Sequence, residues 1–155
     1  MLTHLPHKLL MTLNLDVNSA ATVTIGNTAE GDRKIAPISG GKFEGERLSG
    51  HVMPGGADWV RLRADGTLMI DVRVTLATDD GATIYLSYQG RFIGATDAMT
   101  QLAKGEKLEP DSYSLVTTAK FECGDPRYQW LNDVIAVAIG SQTGFNPTYS
   151  IFEIG

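Results

Sequence analysis

Hydrophobic and polar residues alternate along most of this chain. Leu9, Met11, Leu13, Leu15 and Val17 fall on one face of a first extended segment, with Thr12, Asn14 and Asp16 on the other. Leu68, Ile70, Val72, Val74 and Leu76 repeat the pattern in the middle, with Met69, Asp71, Arg73 and Thr75 opposite. A two-residue period is the signature of a strand, whose successive side chains point to opposite faces. Further strands are predicted over 23–25, 34–39, 42–53, 59–63, 83–92, 114–122, 134–141 and 148–154. Gly40-Gly41, Pro54-Gly55-Gly56, Asp65-Gly66, Asp80-Gly81 and the stretch 144–147 read as the turns between them. One helix is predicted over 96–104, stopped by Gly105. A shorter helical turn is predicted over 126–131, with Asp125 as its cap and Pro126 in its first position.

Consecutive strands of about ten residues joined by short turns predict an all-β fold. The architecture expected is a closed antiparallel up-and-down barrel of about eight strands with one short helix, because closure removes the edges that would otherwise invite aggregation. The 155 residues suffice for one domain spanning residues 1–155, hiding roughly 70% of the unfolded surface. No repeat, low-complexity tract or linker divides them.

Two hairpins fix a register, since a slip of one residue would reverse every side chain. With Asp79-Asp80-Gly81 as a three-residue loop and Gly81 left-handed, Leu76 faces Ile84, Val74 faces Leu86 and Val72 faces Tyr88. A loop over Ala64-Asp65-Gly66 likewise sets Leu62 opposite Leu68 and Val60 opposite Ile70. Three adjacent strands then share an apolar face. Their other face carries Trp59, Arg61, Asp71, Arg73, Tyr85, Ser87 and Gln89, with Trp59 opposite Asp71 and Thr75 opposite Tyr85. This polar face has two readings: a solvated outer wall, or the lining of a polar pocket. Apolar faces usually point inward, which favours the first; large aromatics with a polar handle favour the second.

Composition narrows the function classes. Hydrophobic residues make up 43% of the chain and charged residues 20%, proportions of a globular protein. Net charge is −5 and the basic residues are scattered, so nucleic acid is not an expected partner, because phosphate binding needs a basic stripe. The longest apolar run, 134–139, is far too short to span a bilayer, and no membrane partner is expected. The lone cysteine, Cys123, can form no internal disulfide, which together with the strand patterning of the N-terminus points to the cytoplasm. Self-association into a homo-oligomer is left open.

Several motifs resemble a known family. Gly40-Gly41-Lys42-Phe43 through Leu48-Ser49-Gly50, then Pro54-Gly55-Gly56-Ala57-Asp58-Trp59, are similar to the signature of a bacterial and fungal family of small proteins, domain-of-unknown-function family 3237. Asp71-Val72-Arg73 with Thr78-Asp79-Asp80-Gly81-Ala82, and Gly124-Asp125-Pro126-Arg127-Tyr128 with Trp130-Leu131-Asn132, match in order and spacing. The resemblance implies a calycin-like or allene-oxide-cyclase-like barrel and no particular activity. Its recurrent residues fall on Asp58, Trp59, Asp71, Arg73, Tyr85, Asp125, Arg127, Trp130 and Asn132. Tyr88 departs from a polar amide and Cys123 from a hydroxyl, and a cavity-facing Tyr88 would alter what is bound. The resemblance shifts the polar face toward the pocket reading.

If that face lines a pocket, the candidate catalytic residues are Asp71, Arg73, Tyr85 and Asp58. Asp71 or Asp58 would serve as the base, Arg73 would hold an enolate or carboxylate in its fork, and Tyr85 would donate to a developing oxyanion. Trp59, Tyr88, Trp130 and Asn132 are the candidate substrate-binding residues. Against this, Asp71 and Arg73 could be a wall ion pair, and Trp130 a plug at the barrel end. His4, His7 and His51 lack ligand spacing, Cys123 has no activating histidine, and no dinucleotide fingerprint is present. No metal and no cofactor are therefore expected. The leading expectation is a cofactor-independent isomerase, cyclase or lyase acting on a small organic molecule, an aromatic or terpenoid ring among the candidates. Its rival is a non-catalytic binding or carrier barrel.

Overall fold

The computed structural model describes residues 1–155. It contains β1 (His7–Val17), β2 (Val23–Thr28), β3 (Gly31–Glu44), β4 (Ser49–Asp58), β5 (Arg61–Leu62), β6 (Leu68–Thr78) and β7 (Thr83–Gly94). Helix α1 (Ala98–Ala103) follows, then β8 (Tyr113–Glu122), β9 (Ala136–Thr143) and β10 (Asn146–Ile154). Short 3-10 turns lie at Ser19–Ala21, Pro110–Ser112 and Gln129–Asp133. Eight strands, β1, β3, β4, β6, β7, β8, β9 and β10, each pair antiparallel with the next, and β10 returns to β1. This is a closed eight-stranded up-and-down barrel. β2 lies outside the ring along β3, and β5 bridges β3 and β6.

Both hairpins adopt the register that the apolar pattern predicts. Val74 pairs with Leu86, Leu76 with Ile84, Val72 with Tyr88 and Thr75 with Tyr85. The Thr78 amide donates to Ala82 O across the three-residue loop, and Gly81 sits at φ 92°, where a side chain would be strained. In the second hairpin Leu62 pairs with Leu68, and the Trp59 amide donates to Asp71 O.

Several local expectations fail for identifiable reasons. Gly40-Gly41 and Pro54-Gly55-Gly56 are not turns. They lie inside β3 and β4, at irregularities where the register shifts between Ile38 and Lys42 and between Met53 and Ala57. Glycine and proline mark bulges as well as turns, and such bulges bend long strands around a barrel. The reversal occurs instead within 45–48, where the Gly45 amide donates to Leu48 O, so the strand expected over 42–53 is split between β3 and β4. In β1 a bulge between Leu9 and Met11 turns Leu9 outward, 49% exposed, and Leu10 inward. The helical turn expected over 126–131 forms later, at Gln129–Asp133.

The apolar faces point into the barrel. At one end Leu10, Met11, Phe43, Leu48, Leu76, Ile84, Phe121 and Leu131 fill the lumen as packed core. Toward the other end the filling stops and a chamber of about 580 Å³ remains, lined by Leu15, Ile38, Ile70, Val72 and other residues and flanked by α1 through Met99 and Leu102.

Candidate functional site

The chamber is mostly apolar, but Asp58, Asp32, Lys34 and Gln142 also line it. Asp58, the last residue of β4, shares an inward face with Val60 and Leu62, and pairs across the wall with Ala36 and Val72. The ladder breaks just beyond it, between β4 and β5. Trp59 O accepts a hydrogen bond from Arg33 Nη1 at 2.6 Å. The Asp71 amide then donates to Asp58 Oδ1 at 3.0 Å. Asp58 Oδ2 makes no hydrogen bond within the protein. Burial pushes the Asp58 carboxyl up from 3.8 to about 7; the Asp71 amide and Arg33 pull it down, and the Asp71 carboxylate pushes it further up. The group is therefore divided between acid and carboxylate near neutral pH.

Two tyrosines face the same space. Tyr88, on β7 directly beside Val72, and Tyr149, on β10, are almost fully buried, with ring centroids 5.0 Å apart and edge-to-face. Burial raises both phenols, Tyr88 well above its ordinary value. The packed Tyr149 phenol raises Tyr88 further. The Asp58 charge raises both. Both stay protonated at neutral pH, so each hydroxyl can donate to a guest. Gly140 makes room for this pair: a Cβ there would meet the Tyr149 ring at 2.7 Å and Leu115 at 2.5 Å. Gln142 lines the chamber too, and its Oε1 is buried without a partner.

The residues singled out from the sequence divide between two surfaces. Asp58 and Tyr88 line the chamber. Asp71, Arg73 and Tyr85 lie on the outside of the barrel, because Ile70, Val72 and Val74 and their partners Leu86 and Tyr88 take the inward positions. The pocket reading of that polar face is thus corrected: it is an outer wall. Arg73 Nη2 lies 3.8 Å from Asp71 Oδ2, and its guanidinium stands 5.1 Å over the Trp59 ring. Tyr85 is 39% exposed. Trp130 is outside as well, under the Arg47 guanidinium at 4.0 Å, with its indole N–H donating to Arg127 O. Asn132 accepts from the Cys123 amide and donates to Cys123 O and Gln129 O, tying the 3-10 turn to β8. None of these six, Trp59 included, reaches the chamber.

Tyr149 and Gln142 escape the sequence reading, although a signal for the site is present. The predicted register sets Val72 beside Tyr88, and continuing it through the second hairpin sets Asp58 beside Val72. A carboxylate in an apolar row is the mark of a buried acid.

The model of a family described as protein of unknown function, DUF3237, matches residues 6–154. The UPF0311 protein RPA1785 of Rhodopseudomonas palustris is 36% identical over 122 residues, 79% of this chain and 76% of that protein. A β-barrel-like protein of Acinetobacter baumannii superimposes with a TM-score of 0.85 at 35% identity, over 100% of this chain and 99% of its own. A structure described as an enzyme from Penicillium herquei shares the fold at 20% identity and a TM-score of 0.73, covering 100% of this chain and 98% of its own.

Proposed function

The chain belongs to the DUF3237 family of proteins of unknown function, and we propose that it is a cofactor-independent isomerase, cyclase or lyase that moves protons on a small organic molecule held in the barrel chamber. The observation that carries this reading is a buried carboxyl, Asp58, whose pKa is raised to about 7, set beside two buried tyrosines packed edge to face in a largely apolar chamber. A general acid or base works best when its pKa lies near the working pH, and Asp58 at about 7 meets that condition. As the acid, Asp58 would give its proton to one atom of the guest, and as the carboxylate take one back from another, so the net reaction needs no outside reagent. The Tyr149 hydroxyl would donate to an oxygen on which negative charge develops. The apolar walls suit an aromatic or terpenoid body, and the enzyme described from Penicillium herquei lends the fold a precedent for chemistry.

One observation favours the rival reading, a binding or carrier barrel. Asp58 Oδ1 closes the gap in the ladder between β4 and β5, a structural reason for a carboxylate here. Proton exchange separates the two. A panel of enolisable aryl and cyclic terpenoid ketones, incubated with the protein in D2O and followed by NMR, should show catalysed deuterium uptake. Asp58→Asn should lower that turnover by roughly 10²–10⁴-fold while ligand affinity changes little. Binding without exchange in the wild type would leave the carrier. Exchange undiminished in Asp58→Asn would remove Asp58 from the chemistry.

A further inference from the structure

The outer wall holds a second concavity, of about 570 Å³, on the opposite side of β6 and β7 from the chamber. Its floor is a row of directly paired residues crossing five strands. Arg33 on β3 pairs with Arg61 on β5, Arg61 with Met69 on β6, Met69 with Arg91 on β7, and Arg91 with Val116 on β8. Like charges set directly opposite one another destabilise a sheet, yet Arg33 and Arg61 are neighbours here and Arg91 stands one strand beyond.

Internal neutralisation is scant. Arg33 and Arg61 each spend one N–H on a backbone carbonyl, of Trp59 and of Glu30 respectively. Arg91 has neither an ion pair nor a hydrogen bond within the protein. The one carboxylate lining the groove is Asp71, which accepts from Gln89 Nε2 at 3.4 Å and is already shared with Arg73. Three guanidinium groups thus face one carboxylate, on a chain whose net charge is −5. The groove also presents apolar surface: Trp59 forms part of its wall, and Ile93 and Val116 are 53% and 43% exposed.

We propose that this groove is a binding site for a small amphiphilic anion, a carboxylate or phosphate carried on a flat or branched apolar body. Arginine forks match the planar oxygen pairs of both headgroups, and the free fork of Arg91 is the principal anchor. Arg61 supplies the remaining positive charge, and Trp59, Ile93 and Val116 receive the body. The site is separate from the chamber and involves neither Asp58 nor Tyr149.

The test is an NMR titration of the full ¹⁵N-labelled chain with 2-naphthoate, 2-naphthyl phosphate and neutral 2-naphthol. The two anions should shift the Trp59 indole signal and the amides of Arg61, Arg91 and Val116 saturably, and added salt should weaken them. The tighter of the two assigns the headgroup. Arg91→Gln should weaken binding on the order of ten-fold or more, as loss of a charge-assisted hydrogen bond does. Arg91→Lys should weaken it less, because a point charge replaces the fork. Both substitutions are at an exposed position, and Arg61→Gln provides an independent second loss. Absence of shifts at these residues would overturn the proposal. So would shifts of equal affinity in Arg91→Gln and Arg61→Gln, or shifts that 2-naphthol reproduces.

Discussion

Replacing Asp58 with asparagine should raise stability relative to the native chain progressively as pH rises from 4 to 7. In the folded chain the Asp58 carboxyl is raised from 3.8 to about 7. Below about pH 4 it is neutral whether the chain is folded or not, and ionisation costs nothing. As pH rises through the interval between the two values, the unfolded chain has lost the proton that the folded chain still holds. The native state therefore weakens by about 1.4 kcal/mol per pH unit, and no further once the folded group has ionised. By the top of that interval the loss reaches about 4 kcal/mol. Asparagine never ionises, and its Oδ1 can still accept from the Asp71 amide, so the variant escapes this loss. Any unmet need of its new NH2 group is a constant offset, the same at every pH. Thermal melts of both proteins at half-unit steps from pH 4 to pH 9 measure the difference directly. For a domain of this size it should widen by about 8–16 °C between pH 4 and pH 7 and then level off. A difference that stays flat across that interval would refute the account of Asp58 as a carboxyl raised by burial.

Gly140→Ala should destabilise the fold by about 1–3 kcal/mol, the usual penalty for overpacking, because its Cβ would press on Leu115 and Tyr149; urea denaturation gives the value. Asn132→Ala should cost about 1–3 kcal/mol through the unmet Cys123 amide and carbonyl, and leave binding in the chamber untouched in calorimetric titration with any chamber ligand. Asp71→Asn and Arg73→Lys, both outside the barrel, should each change stability by less than about 0.5 kcal/mol. Neither should alter affinity for a ligand whose NMR contacts are to Tyr88 and Tyr149.

The register of this barrel is legible in the amino-acid sequence because alternation and loop length answer the same question twice. Val74 can meet Leu86 only if the loop is Asp79-Asp80-Gly81, and it does. Which side of the sheet is concave is a different question, and the side chains of β6 and β7 do not decide it alone. Curvature comes from the bulges near Gly40 and Gly55 and from the closing contacts of β1, all long-range. Asp71 and Arg73 stand out as a charged pair, but a charged pair is ordinary on an outer wall. Asp58 is the rarer feature, a carboxylate in line with Val60, Leu62 and Val72. Tyr149 joins it across the lumen from a strand more than ninety residues away in sequence, a proximity that only the closed ring creates.

The seam of that ring lies between β1 and β10, where His7 pairs with Ile154 and Asn14 with Thr148. Until the last strand has emerged from the ribosome, every earlier stage of the meander has two unpaired edges: β1 on one side and the most recent strand on the other. Such edges are templates for pairing between chains, and the contacts that seal them span nearly the whole sequence, which slows their formation. Tyr149 enters with that final strand, so the chamber acquires its second tyrosine in the same event that removes the edges. A nascent or nicked chain without β10 would have neither a sealed wall nor a finished cavity, and aggregation would compete with completion of the site.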